Sequence, residues 1–148
     1  MATIPKDVKD AVIARLDGTY GSASLVCDGY YIGLQVRRAS AKSLRYVVCV
    51  FVDGVWRHRW SLADYQGPEQ KFARRVEKYL HSEKDRKQML KAAPLYGRKG
   101  SAERKTYEER INTKWVYFEP FFSNGRAAIN HLLRVSENVA VPEEMLTT

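Results

Sequence analysis

The run Leu25-Val26-Cys27-Asp28-Gly29-Tyr30-Tyr31-Ile32-Gly33-Leu34-Gln35-Val36-Arg37 decides the fold. Asp-Gly between two alternating apolar stretches is the strongest short-range signal for a two-residue β-hairpin turn, because both central residues must take positive φ. A type I′ turn at Asp28-Gly29 sets Cys27 opposite Tyr30 and Leu25 opposite Ile32. One face then collects Leu25, Cys27, Tyr30, Ile32, Leu34 and Val36, and the other Val26, Tyr31, Gly33, Gln35 and Arg37. A strand pair with one apolar and one polar face is half-buried antiparallel sheet.

Working outward, Leu44 to Val52 is apolar at nearly every position and suits a central strand covered on both faces. Asp53-Gly54 repeats the turn signal and predicts a return strand, with Phe51 opposite Trp56 and Val47 opposite Trp60. The expectation is a four-stranded antiparallel meander over about 23–62. Before it, Pro5 at a first turn and Val8, Val12 and Leu16 on one face predict a helix near 5–16. After it, Gly67-Pro68 opens a helix near 68–92 with Phe72, Val76, Tyr79 and Leu80 as its apolar stripe. Glu83 and Lys87 interrupt that stripe, so the helix either leaves the core or breaks near Ser82. Further helices are expected near 102–112 and 124–137, the last capped by Ser123 or Asn124 and burying Ala128, Ile129, Leu132 and Leu133. Short strands are expected near 115–118 and 139–141, lying beside each other. The class is α+β, and 148 residues amount to one domain.

Charge is the most informative bulk property. The net charge of +8 lies between Lys71 and Lys105, where twelve Lys or Arg face four acids; the rest of the chain is balanced. A localised excess steers polyanions. If helix, loop and helix form an αα-hairpin, Lys71, Arg74, Arg75 and Lys78 converge with Tyr96, Arg98, Lys99, Arg104 and Lys105 on one surface. Cations spaced for phosphates beside an aromatic are what nucleic-acid backbone binding requires. The blander reading is a solvated helix whose Lys and Arg stems shield apolar surface.

Catalytic patterns are missing. There is no GxSxG, and Gly97-Arg98-Lys99-Gly100-Ser101 lacks phosphate-loop spacing and a preceding strand. Asp28 and Asp53 belong to turns. His58, His81 and His131 stand apart, and Cys27 and Cys49 sit in apolar runs as small hydrophobes rather than metal ligands. No enzyme activity, cofactor or metal is expected. No apolar run approaches the ~20 residues of a membrane span, and the first residues lack the core of a secretory signal, so a cytoplasmic protein is expected.

The sequence therefore points to a non-enzymatic basic protein that binds nucleic-acid backbone through 71–105. An exposed Tyr31, Gln35 and Arg37 on one sheet face would instead suit a protein interface. The alternative is accordingly a small inhibitor or adaptor of the kind mobile genetic elements carry, anti-CRISPR-like in character, acting on an acidic or nucleic-acid-handling partner.

Overall fold

A computed structural model describes residues 1–146. In chain order the elements are α1 (Lys6–Ala14), β1 (Ser22–Cys27), β2 (Tyr30–Arg38), β3 (Tyr46–Val52), β4 (Arg74–Tyr79), α2 (Glu83–Ala92), α3 (Ala102–Ile111), β5 (Lys114–Glu119), β6 (Phe121–Phe122), α4 (Gly125–Val135) and β7 (Val139–Ala140). Helices and antiparallel strands make an α+β fold. The backbone divides into two compact units, residues 1–74 with the chain from 118 onward, and residues 75–117.

The first unit is built on the β1–β2 hairpin. Asp28 and Gly29 take φ of 50° and 85°, and Cys27 pairs with Tyr30 and Leu25 with Ile32, the register that an Asp-Gly turn dictates. Strand β3 adds to β2, and two short strands complete the sheet in the order β6-β3-β2-β1-β7. Alternation then sorts the side chains. Leu25, Cys27, Ile32, Leu34, Val48, Val50 and Val52 are buried together with Val12, Ile13 and Leu16 of the α1 region and Ala128, Ile129, Leu132 and Leu133 of α4. The helices thus cover one sheet face. Asn124 caps α4, its Oδ1 accepting from Ala127 N at 2.8 Å.

Three expectations are corrected. Residues 55–62 are not a fourth strand. After Asp53-Gly54, at φ 50° and 89°, only Val52 and Val55 bridge, and His58–Ser61 forms a 3₁₀ turn. Trp56 and Trp60 meet edge to face at 5.1 Å, an i, i+4 contact that a strand cannot make. The free edge of β3 is taken by β6, which sets Phe122 opposite Val48 and Phe121 opposite Cys49.

Residues 68–92 are not one helix. Pro68–Phe72 is a 3₁₀ turn, Arg74–Tyr79 is strand β4, and α2 starts only after Ser82, whose Oγ accepts from Asp85 N at 3.2 Å. The apparent stripe splits, with Phe72 fully buried in the first unit and Tyr79 and Leu80 exposed. Strand pairing wins here over helical periodicity, because β5 offers a partner that a window of local sequence does not contain. The last strands also part company. Strand β5 pairs with β4 in a separate two-stranded ribbon, while β7 pairs with β1, Ala140 opposite Val26 and Val139 opposite Cys27. Cys27 and Cys49 are free and buried.

One cluster fastens the first unit. The Asp28 carboxylate accepts from Asn138 N (2.8 Å), Glu137 N (3.0 Å) and Lys71 Nζ (2.6 Å). Its hydrogen bond from Lys71, then that from Asn138 N, hold it below its ordinary 3.8. Lys71 also offers its carbonyl to His131 Nε2 at 2.8 Å. That nitrogen therefore carries the proton, and Nδ1 accepts from Arg134 at 3.0 Å. Burial keeps this imidazole below its ordinary 6.5, in the neutral form the contact needs.

Both groups lose stability on acidification, in separate windows. The unfolded state takes up the His131 proton first as pH falls below about 6.5, and the Asp28 proton below about 4. Thermal melts should thus decline in two stages. Asp28→Asn, which tolerates the same turn, should melt lower at pH 7 and converge on the parent protein below the Asp28 window. A gap between the two that persists undiminished at pH 2 would contradict this. Phe72→Ala should destabilise the fold by about 3–5 kcal/mol in urea unfolding, as expected of a fully buried ring rather than a solvated helix position.

Candidate nucleic-acid interface

Residues 75–117 hold twelve Lys or Arg against six Asp or Glu, so these 43 residues carry +6 of the net +8. They bury little. Ala93, Tyr107 and Ile111 form the core of this unit, with Met89 packed against it. Two serine caps begin its helices, Ser82 for α2 and Ser101 for α3, where Ser101 Oγ accepts from Arg104 N at 3.3 Å. Arg86 joins the pieces. Its Nε donates to Ile111 O (3.3 Å), one Nη donates to Asn112 Oδ1 (3.0 Å), and its guanidinium stacks 3.5 Å from the Tyr79 ring centre. Lys114 approaches the same ring at 4.8 Å. Those two cations hold the unit together.

The other side of the β4–β5 ribbon differs. Alternation along β5 sends Trp115 and Tyr117 one way and Lys114 and Val116 the other. The Trp115 and Tyr117 rings stack at 4.6 Å with 27° between planes, and Lys78 Nζ lies 5.7 Å from the Tyr117 centre. Trp115 remains 49 % exposed. A tryptophan of that exposure, backed by a second ring and flanked by a lysine, has the chemistry on which a planar group can stack. The strand signal at 115–118 is legible in the sequence, but the exposure of Trp115 is not. Its i, i+2 spacing from Tyr117 in a short, isolated ribbon was the available sign.

The expected basic residues separate into groups. Lys71 lies in the first unit, bound to Asp28, and is a structural latch rather than a surface cation. Arg74 pairs with Glu119. Arg75 and Lys78 are consecutive-but-two on a strand and therefore face opposite sides; Arg75 pairs with Glu77 at 3.5 Å. The four do not form one helical face. Tyr96 stacks on Tyr107 at 3.9 Å and 9°, leaving its other side half exposed. Arg104 is tied to Glu108 at 3.0 Å. Arg98, Lys99 and Lys105 are exposed, and among the described residues no acid lies within 4 Å of them.

Three lysines outside the expected set join these. Lys84, Lys87 and Lys91 are exposed at i, i+3 and i+7 of α2, a spacing that lines one helix side. Lys87 meets Glu83 at 3.3 Å, but both side chains are largely in water, where such a pair is weak. The helix assigned to 68–92 hid this row by giving it the wrong phase.

In the first unit, Tyr31, Gln35 and Arg37 do share the outer sheet face. Tyr31 Oη donates to Glu144 Oε1 at 3.2 Å, and Arg37 donates to Gln35 Oε1 at 2.8 Å while lying 4.9 Å over Phe51. Asp53, a turn residue, accepts from Tyr31 N at 3.1 Å. Among the described residues no group of three His, Cys, Asp or Glu is placed to hold a metal ion, and no helix is long and apolar enough to cross a membrane. Comparison with protein-family models, with curated proteins and with solved structures finds no match to this chain.

Proposed function

We propose that this protein is a non-catalytic binder of single-stranded nucleic acid, with residues 75–117 as the contact unit. The observation that carries the reading is the half-exposed Trp115 stacked on Tyr117 beside Lys78, within a unit of net charge +6. Bases stack on exposed rings whatever their identity, and only unpaired bases present their faces. Phosphates meet the cations that acids do not neutralise, chiefly Lys84, Lys91, Arg98, Lys99 and Lys105. Half-exposed Tyr96 offers a further ring. The Lys71 and Arg74 side chains, held by Asp28 and Glu119, are left out of the interface.

A second reading rests on the outer sheet face. Arg37, positioned by Gln35 and Phe51, with Tyr31 on the same face, suits a small inhibitor or adaptor that docks on another protein.

Fluorescence anisotropy with a labelled oligo-dT and with a blunt duplex at several salt concentrations tests the first reading. Single strands should bind more tightly than the duplex. With six phosphate contacts, log affinity should fall against log salt with a slope of about −4. Trp115→Ala should weaken binding by about 1–3 kcal/mol at every salt concentration, leaving the slope in place. The triple variant Lys84→Gln, Lys91→Gln, Lys99→Gln should flatten the slope by about 2. No binding in 20 mM salt, on the order of the lowest ionic strength where screening is weak, would retire the proposal.

A further inference from the structure

The outer sheet face of the first unit holds a cavity of about 410 Å³ beside β6. Val47, Cys49 and Phe51 form its floor, alternating along β3 with the valines that face the helices. Phe121, paired opposite Cys49, makes one wall and Trp56 another. Arg37, Arg38 and Arg45 also belong to the lining; Arg37 and Arg45 alternate in step with the floor residues, Arg38 out of step. Among the described residues no acid lies within 4 Å of these three. The one carboxylate of the lining, Glu119, is engaged by Arg74. Arg37 is already oriented, its Nε and Nη2 both donating to Gln35 Oε1 at 3.2 and 2.8 Å.

This distribution of polarity selects the occupant. The volume suits a single large side chain or a small ligand. A nucleobase would be a poor guest, because the floor presents only apolar side chains and a buried thiol to its ring nitrogens and carbonyls. The Trp56 Nε1 already donates to Ser61 Oγ at 3.0 Å. Each buried, unpaired polar atom would cost about 1–3 kcal/mol. An aromatic or branched aliphatic side chain has no such penalty. Apart from Glu119, which Arg74 engages, the charge of the lining is cationic, and guanidinium forks match carboxylates two bonds at a time.

We propose that this cavity receives an acidic segment of a partner protein, one apolar side chain seated on Val47, Cys49 and Phe51 and flanking carboxylates on Arg37 and Arg45. The inference deepens the second reading of function and is independent of nucleic-acid binding. The probe is a fluorescein-labelled peptide of one phenylalanine with three alternating Asp and Glu on each side, read by anisotropy with the full chain. Two controls accompany it, one with serine for phenylalanine and one with amides for the acids.

Salt-sensitive binding should weaken at least tenfold with either control peptide and in the Arg37→Gln, Arg45→Gln variant. Both arginines are exposed, so unchanged thermal melting of that variant should confirm its fold. Trp115→Ala should bind the peptide as the parent does, separating this site from the Trp115 and Tyr117 rings. Tyr31→Ala, outside the cavity, should also leave peptide binding intact; a wider protein interface would be read by its loss of a captured partner instead. The proposal is overturned by absent binding at low salt, by equal affinity for the double arginine variant, or by equal binding of the serine peptide. Displacement of the peptide by oligo-dT that persists in Trp115→Ala would likewise overturn it, in favour of nucleic acid as the occupant.

Discussion

The first unit is fastened at the Asp28 carboxylate. An aspartate in a left-handed turn is ordinary hairpin chemistry, but this one also gathers two backbone N–H groups after α4 and the ammonium of Lys71. Three stretches of chain far apart in sequence therefore end at one side chain. The segment after α4 is held where β7 can pair with β1. Lys71 is held where its carbonyl meets His131 and where Phe72 enters the core. A short carboxylate accepting charged and neutral donors together is a stronger fastening than a solvent-exposed ion pair. The departure of the chain into β4 starts from that fixed point.

Apolar burial and charge are allotted to different parts of the chain. The sheet and its two helices bury a continuous core, whereas residues 75–117 bury a few side chains around Tyr107 and Ile111. A unit with so small a core keeps its shape by other means. Serine caps satisfy helix N-termini, and Arg86 and Lys114 both lie against the Tyr79 ring. Arg75, Lys87 and Arg104 pair with acids of the same unit, while Lys84, Lys91, Arg98, Lys99 and Lys105 are exposed with no acid within ion-pair distance among the described residues. The same residue types thus serve both cohesion and surface potential, distinguished only by whether a ring or a carbonyl is in reach.

Much of the fold was legible from short-range signals. Both Asp-Gly turns adopt the positive φ they require, the β1–β2 register follows, and the apolar spacing of α4 matches its buried face. The misread segments share a cause. Trp56 to Trp60 and Phe72 to Leu80 each contain alternations that fit two periods, and the choice was made by strands arriving from about 35 to 75 residues away, β5 and β6. For the candidate interface, counting charge located the right part of the chain. It could not separate Lys71 and Arg74 from the rest, since their acids lie 43 and 45 residues distant. Trp115 was visible as a strand residue, yet nothing local says that the ribbon carrying it is covered on one side only.

The Arg74–Glu119 contact has an architectural consequence. The points at which the chain leaves the sheet-bearing unit and re-enters it touch one another. A polypeptide whose exit and entry meet can accept, exchange or shed everything in between without rerouting its remaining strands. Residues 75–117 are in that sense a cassette. Rings and cations inside it can therefore change without altering which strands of the hairpin-based scaffold pair.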